Sequence, residues 1–263
     1  MNSKIYTPLQ IREIFHMEFL RWFSRKIKPD CFCLKGGVNL RLFFKSIRYS
    51  EDIDLDIQKV GVDKVKDVVM EILSARGFLD SLKSFGIERI VPPDIIKAKQ
   101  TQTTQRFKVH LLTSSGEDLF TKIEYSRRGL KGTVVIEPVS AQILRSYKMA
   151  PLIVPHYDGG SAVVQKIQAL AQRTVLQARD IFDLFVLSSQ YDEAMTGRGG
   201  AISKAALKTA YENIFMLEFA QFRDTVVAYL GEDDQKVYSS PEVWDEIKLK
   251  TAHFIEELKN EKK

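Results

Sequence analysis

Apolar residues recur at helical spacing over the first part of the chain. Thr7 and Pro8 are typical of an N-cap and a first helical position, and the helix that they open is predicted to run to about residue 27. The apolar positions of its buried face are Ile11, Ile14, Phe15, Phe19 and Trp22. A second amphipathic helix is predicted over residues 61–77, crossing over a sheet, and residues 78–85 are expected to lead from it into a strand.

Short runs with strand composition fill the rest of the first half. They are 31–37, which breaks at a double glycine, and 52–57, 87–91, 106–112, 120–125, 132–138 and 152–156. Turn-like sequences separate the runs at 106–112, 120–125 and 132–138, so these three are predicted to form a meander with one solvent-exposed face. Short helices are predicted at 38–44 and 140–147.

The second half of the chain has helical periodicity only. A loop at 158–161 is expected to cap a helix at 162–173, which another helix follows at 178–189. From Ala201 onward the pattern predicts helices at 203–219, 222–230 and 241–259. The fold class expected from these elements is α+β, with a mixed sheet flanked by helices and then a helical C-terminal half. The predicted domains are residues 1–158 and 159–263, the second contributing to the active site.

Composition and charge narrow the protein class only mildly. The 263 residues carry a formal charge of +5 and a pI near 9.0, which suits nucleotide or RNA partners without requiring them. The two cysteines, Cys31 and Cys33, are predicted to be structural thiols in a reducing compartment. The N-terminus has charges where a signal peptide needs an apolar segment, and no run is long enough to span a bilayer. We therefore expect a cytoplasmic protein with no membrane partner.

Three aspartates at alternate positions indicate a cation site. In a strand Asp52, Asp54 and Asp56 point to one face, whereas the intervening Ile53 and Leu55 point to the other. Aspartate is unfavourable in strands, and carboxylates on one face repel each other. A divalent cation would offset this repulsion, and Mg²⁺ is usually held by one or two carboxylates together with substrate phosphates. Asp52 and Asp54 are the predicted pair, and Asp56 is expected to be structural or solvated.

Other residues would complete a site for phosphoryl or nucleotidyl transfer. The pair Gly36-Gly37 allows backbone N–H groups to approach a phosphate, with a helix N-terminus behind them. Glu124 is the best-placed candidate for a third metal carboxylate, on a neighbouring strand. Lys166, near the start of a helix, is a candidate phosphate contact.

Two separated motifs resemble a known family. The stretch KGGVNLRLFFKSIRYSEDIDLD at 35–56 resembles the first motif of the DNA-polymerase-beta-like nucleotidyltransferases, and more narrowly that of the AbiEii/AbiGii toxins of type IV toxin–antitoxin and abortive-infection systems. That family also has a later helix pair, matched here by Lys166, Ala169, Arg173, Arg179, Asp180, Asp183 and Leu184. The resemblance covers roughly residues 33–190 and implies a nucleotidyltransferase-like sheet.

The resemblance implies a Mg²⁺-dependent transfer of a nucleotide from an NTP to an acceptor, RNA (tRNA) or protein, with a cognate antitoxin as a further partner. The implied catalytic residues are Asp52, Asp54, Lys166, Asp180 and Asp183, with the choice between the last two left open. The implied nucleotide-binding residues are Gly36, Gly37, Arg48, Ser50 and Lys166. The implied metal ligands are Asp52, Asp54 and Glu124.

Two alternatives compete with this interpretation. One is a non-catalytic module that keeps the fold and binds RNA or a protein. The other is a small-molecule nucleotidyltransferase, which would share the first motif but not the later helix pair.

Overall fold

The computed structural model describes residues 6–96, 98–190 and 202–260. Predictions for the first five residues and for Ala201 therefore lie outside the described residues. The chain divides into two compact units, which are described separately. The first combines the residues up to Phe43 with Tyr49–Tyr157, and the second combines Phe44–Arg48 with the chain from Asp158 onward.

The first unit contains a seven-stranded mixed sheet and five described helices. Its strands are β1 Phe32–Lys35, β2 Asp52–Ile57, β3 Ile87–Val91, β4 Thr104–Thr113, β5 Asp118–Ser126, β6 Val134–Pro138 and β7 Ile153–Tyr157. Its helices are α1 Pro8–Lys26, α2 Gly36–Phe43, α3 Val62–Ser74, α4 Arg76–Lys83 and α5 Ala141–Ser146. The strand order is β3-β4-β5-β2-β1-β7-β6, so the aspartate strand β2 is central. β2 pairs antiparallel with β1 and parallel with β5.

Alternation along the strands separates an apolar face from a polar face. On the apolar side Ile53 and Leu55 of β2 are fully buried, as is Tyr125 of β5. Helix α1 packs on this side, where Phe23 contacts Phe32 and Tyr125 with ring centroids 5.1 and 5.4 Å apart. The helix begins as predicted, since Thr7 accepts from the Gln10 amide in a capping box.

Helices are the only regular secondary structure of the second unit over its described residues. Its helices are α6 Gly159–Gln172, α7 Ala178–Ser188, α8 Lys204–Ile214, α9 Phe219–Thr225, a 3₁₀ turn at Val227–Tyr229, α10 Glu232–Tyr238 and α11 Pro241–Asn260. Within it α6 packs on α7 and α8, and α11 packs on α7 and α8. The predicted α+β fold class is confirmed. The loop expected at 158–161 is mostly helix, because Asp158 itself is the N-cap and accepts from the Ser161 amide.

Two predictions in the first unit are wrong. β6 does not continue a meander from β5: the outer edge of β5 is paired with β2, and β6 pairs antiparallel with β7 at the opposite end of the sheet. The helix predicted over 61–77 ends at Ala75, whose extended backbone separates α3 from α4. The break lets Phe78 pack edge-on against Phe15 in the core.

Both cysteines are buried free thiols. Among the described residues there is no helix with both the length and the apolar character that a bilayer crossing requires.

Candidate active site

The first two aspartates of β2 lie on the polar face of the sheet, as the alternation predicts. Asp52 and Asp54 are partly exposed, and Ile53 between them is fully buried. Asp54 is the Cα partner of Lys35 in β1 and of Glu124 in β5. The central strand therefore presents its carboxylates between the end of β1 and the polar face of β5.

Gly36 lies directly against the carboxylate of Asp54. Its φ is +69°, and a Cβ atom built on it would be 2.7 Å from Asp54 Oδ2. A side chain at this position would collide with the carboxylate, so glycine is required both by conformation and by space. Gly36 and Gly37 form the first turn of α2, so the strand β1, the glycine pair and a helix N-terminus follow each other directly.

Asp52 is held by the neighbouring strand. The Lys122 amide donates to Asp52 Oδ1 over 3.0 Å, and Lys122 Nζ lies 2.6 Å from Oδ2. On the other side, the Ser50 hydroxyl donates to the Asp52 carbonyl over 2.9 Å. Ser50, predicted to bind nucleotide, thus fixes the backbone where the aspartate strand begins.

Glu124 occupies the position in β5 that faces Asp54 in register, as expected for a third carboxylate. In this structure Arg106 of β4 donates to Glu124, with Nε 2.6 Å from Oε2. Both side chains are partly exposed, at 40% and 32%. The carboxylate is therefore neutralised by a cation of its own sheet.

Asp56, the third aspartate of β2, has a different environment. It is only 5% exposed, and it accepts from the Tyr157 hydroxyl and from Lys35 Nζ, each over 2.6 Å. Burial and the neighbouring carboxylate raise the pKa of Tyr157, so its phenol stays a proton donor. Asp56 thus ties β2 to β1 and β7, which leaves Asp52 and Asp54 as the accessible pair.

The residues on this face fit a cation that arrives with a nucleotide. Among the described residues no group of three or more His, Cys, Asp or Glu side chains is arranged so that it could hold a metal ion by itself. Mg²⁺, however, typically needs only one or two protein carboxylates when phosphates supply the other ligands. Asp52 and Asp54 on one face, with the Asp54 carboxylate packed against Gly36, match this open type of site.

The later motif forms a buried ion cluster in the second unit. Lys166 Nζ of α6 lies 2.9 Å from Asp180 Oδ1 and 2.6 Å from Asp183 Oδ2, both on α7. Arg173 Nη1 lies 3.2 Å from Asp180 Oδ2. The two aspartates are fully buried, and the Lys166 side chain is 12% exposed.

Arg48 completes this cluster from the segment Phe44–Arg48. Its guanidinium donates through Nη2 to both carboxylate oxygens of Asp183 over 3.0 Å, and through Nε over 3.2 Å. Burial alone would raise the pKa of Asp183, but Arg48 and Lys166 hold that pKa below its usual value. Burial likewise opposes the charge of Lys166, yet Asp180 and Asp183 raise its pKa. The lysine and Asp183 are therefore both charged near neutral pH.

Sequence reasoning placed the acidic side chains of the polar face but missed their basic partners. The sequence pattern does not mark Lys122 and Arg106 as site residues, although each contacts a predicted metal carboxylate. The signal was present in the alternation of β5, where Lys122 and Glu124 share a face. It could be used only once β5 was known to pair with β2.

The family is decided by a sequence comparison. Residues 18–251 match the profile of the nucleotidyl transferase AbiEii toxin family of type IV toxin–antitoxin systems. The chain belongs to this family. As an AbiEii-family toxin it is a nucleotidyltransferase, and the family implies a nucleotide substrate and an antitoxin partner. A search of curated proteins found no match.

Solved structures share the fold of this AbiEii-family chain at low sequence identity. JHP933 from Helicobacter pylori is 18% identical with a TM-score of 0.59, covering 98% of this chain and 96% of its own. A candidate nucleotidyltransferase from H. pylori is 20% identical with a TM-score of 0.61, covering 97% and 98%. The nucleotidyltransferase toxin MenT4 from Mycobacterium tuberculosis H37Rv is 16% identical with a TM-score of 0.61, covering 94% and 84%.

Proposed function

We propose that this AbiEii-family toxin transfers a nucleotide from a Mg²⁺-bound NTP to an RNA acceptor, with tRNA ends as the acceptor class that the sequence resemblance suggests. The observation that carries the proposal is the contact between Gly36 and the Asp54 carboxylate. This contact places the glycine turn, which suits a phosphate, directly beside the Asp54 carboxylate, which suits the cation bound to that phosphate.

The glycine pair would bind the triphosphate. Backbone N–H groups in the first turn of a helix have no partner within the helix, and a helix N-terminus favours negative charge, so the start of α2 suits an anion. Since Gly36 has no side chain, a phosphate oxygen can approach both the backbone and the cation that Asp54 holds. Asp52 and Asp54 are the proposed metal ligands, and Glu124 is the proposed third carboxylate.

Charge neutralisation and positioning account for most of phosphoryl-transfer catalysis. Mg²⁺, when bound, would neutralise the charge that develops on the phosphates. In this proposal the residues of the chain would hold the reacting groups in line: the glycine turn would fix the triphosphate, and the acceptor would lie on the partly exposed polar face of β5. The oxygen of the acceptor hydroxyl would form a bond to the α-phosphorus and give its proton to water, while the bond between the α- and β-phosphates breaks and pyrophosphate leaves.

In the same proposal the buried cluster of the second unit supplies a nucleotide contact. Lys166 is charged and its side chain is 12% exposed, so it is the proposed contact to phosphate. Asp180 and Asp183 would hold its side chain, and Arg48 would neutralise the second aspartate. Family membership argues against a non-catalytic binding module, and the later helix pair argues against a small-molecule acceptor.

Nucleotide titrations test the metal site directly. Asp54→Asn keeps the shape of the side chain but removes its charge, so we expect Mg²⁺-dependent NTP affinity to fall by at least about ten-fold, because even outer-shell changes have effects of this size. Asp118→Asn is the matched control, since it removes an exposed carboxylate from the start of β5. Unchanged Mg·NTP affinity in Asp54→Asn would contradict the proposed site.

The acceptor is tested separately with α-labelled NTPs. The wild-type protein is incubated with total RNA and, in parallel, with total protein from the same cells. Label in the RNA fraction supports the proposal, whereas label confined to protein would overturn the RNA assignment and leave the nucleotidyltransferase intact.

A further inference from the structure

An aromatic side chain lies on the polar face of the sheet beside the carboxylates of β2. Phe120 of β5 is partly exposed and precedes Lys122 by two residues, so the two side chains share a face. Lys122 is the Cα partner of Asp52 on one side and of Lys108 in β4 on the other. Phe120 therefore lies on the same face as Asp52, next to the cross-strand row that Asp52, Lys122 and Lys108 form.

Basic side chains surround this ring. Lys108 Nζ and Lys122 Nζ lie 6.0 and 5.9 Å from the centroid of Phe120, within the range of cation–π attraction. The ring of His110 stands edge-on to it, with centroids 5.5 Å apart. An aromatic ring flanked by lysines on an accessible sheet face is the arrangement by which proteins stack an unpaired base and hold the phosphates next to it.

The charge on this face depends on the carboxylates beside it. Lys108 is exposed and forms no ion pair with any carboxylate of the described residues. Lys122 is paired with Asp52, and Arg106 with Glu124, whereas His110 is paired with Asp118. Lys122 and Arg106 would lose these partners in part if Asp52 and Glu124 held a cation. Loading the site would therefore release positive charge onto the face that carries Phe120.

We propose that Phe120, Lys108 and Lys122 form a platform for the single-stranded end of the RNA acceptor. A base stacks on Phe120, and the two lysines contact the phosphates on either side of it. The inference rests on the proposed function and deepens it, since it assigns the surface that holds the acceptor next to Asp52. Stacking is tolerant of base identity, so the platform would orient an RNA end without selecting its sequence.

Paired substitutions at Phe120 separate stacking from packing. Phe120→Leu keeps an apolar side chain without a ring, and Phe120→Tyr keeps the ring. With a fluorescein-labelled single-stranded RNA of about twelve nucleotides as the probe, we expect Phe120→Leu to raise the Kd about ten-fold and Phe120→Tyr to leave it near wild type. Equal affinity of all three proteins for this RNA would overturn the proposal.

Charge reversal tests the lysines. Lys108→Glu should weaken RNA binding and reduce its salt dependence, because a phosphate contact is lost. Lys83→Glu is the control: it makes the same charge change on α4, a helix that packs with α1 in the core of the unit. Equal loss of RNA affinity in both variants would show a non-specific charge effect and contradict the platform.

Mg·NTP affinity, measured on the same Phe120→Leu protein, keeps this inference distinct from the proposed function. We expect it to be unchanged, which also shows that the variant is folded. Loss of Mg·NTP affinity with RNA binding intact would assign the ring to the nucleotide and overturn the platform. The proposed function fails by a different result: it is contradicted if Asp54→Asn binds Mg·NTP with normal affinity.

Discussion

At the scale of single residues, the structure explains why the first motif has a glycine at position 36. Gly36 has a left-handed backbone, and the Asp54 carboxylate lies where a side chain on Gly36 would collide with it. A second glycine, Gly116, has a similar φ of +85° but no heavy atom within 4 Å of a built Cβ. Both positions therefore require a left-handed backbone, but only Gly36 also lacks the space for a side chain.

This pair provides a controlled prediction. Gly116→Ala should lower the free energy of unfolding by about 1–2 kcal/mol, the usual penalty for a left-handed non-glycine residue. Gly36→Ala should carry the same penalty and also force the Asp54 side chain to move, so Mg²⁺-dependent NTP affinity should fall as well. Urea unfolding and nucleotide titration of both variants measure the two effects. Normal Mg·NTP affinity in Gly36→Ala would show that the contact has no role in binding.

Residue-level chemistry was predictable where it depends on neighbours along the chain. The alternation of β2 placed Asp52 and Asp54 on one face before any partner strand was known. The same rule placed Asp56 with them and could not show that it is buried, because Tyr157 comes from a strand 101 residues away. Period-two arguments assign a face, whereas burial along that face depends on long-range pairing.

At the scale of elements, sheet order is the step that local patterns predicted least well. β4 and β5 were correctly expected to be neighbours, since a short turn joins them. The turn-like sequence after β5 predicts that β6 lies next to it, but that position belongs to β2, which pairs with β5 in parallel. A parallel pair needs a crossover connection, so its partners are distant in sequence and leave no local signal.

The helix break at Ala75 has a similar cause. Residues 61–77 have continuous helical periodicity, and only packing decides where the helix stops. A Cβ on Gly77 would lie 3.3 Å from the ring of Trp22, so α4 approaches α1 closely at this glycine. Phe78 and Leu82 then bury one face of a separate short helix.

The connection of β1, β2 and β7 through Asp56 yields a prediction about elements. Tyr157→Phe removes a hydroxyl that donates to a buried carboxylate, so the free energy of unfolding should fall by about 1–3 kcal/mol. Because Asp56 is assigned to structure and not to the metal, Mg·NTP affinity in the folded variant should stay close to wild type.

Asp56→Asn is the companion variant, since it removes the charge that Lys35 faces. It should also lower stability while the folded protein keeps its Mg·NTP affinity. A loss of nucleotide affinity comparable to that of Asp54→Asn would instead make Asp56 part of the metal site.

At the scale of the whole molecule, the division into two units has a feature that no sequence pattern indicated. The segment Phe44–Arg48 lies between α2 and β2 in the chain, yet it belongs to the helical unit. Arg48 explains why, because its charge is satisfied by the buried Asp183. The family motif that contains Arg48, Asp52 and Asp54 is thus divided between the two units: Arg48 belongs to the second unit, and the aspartate strand belongs to the first.

The two units also carry different buried titratable groups, so acid should affect them differently. In the first unit burial lowers the pKa of His16 to about 3, with Arg12 adding to the effect. His16 Nε2 lies 2.8 Å from the Thr121 hydroxyl, which itself donates to the Glu51 carbonyl, so the neutral ring must donate. In the second unit Arg48 and Lys166 hold the pKa of Asp183 below its usual value, so its ion pairs stay charged at pH values where an ordinary aspartate takes up a proton.

The sign of each effect follows from proton uptake on unfolding. Between pH 6.5 and about 3, an unfolded His16 binds a proton that the folded side chain does not bind, so acid destabilises the first unit throughout this range. The slope for this group can reach about 1.4 kcal/mol per pH unit. Asp183 contributes stability above its unfolded pKa, and that contribution is lost only as the pH falls through the lower, folded value.

We therefore predict that the first unit loses stability at mildly acidic pH before the second one does. The chain has two tryptophans, Trp22 in the first unit and Trp244 in the second, so single-tryptophan variants report each unit separately. In the Trp244→Phe background, His16→Gln keeps a donor toward Thr121 but cannot titrate, and it should flatten the fall in urea midpoint between pH 6.5 and 4. An unchanged slope in this variant would show that other groups govern the acid response, because His16 is the only group that the substitution removes from titration.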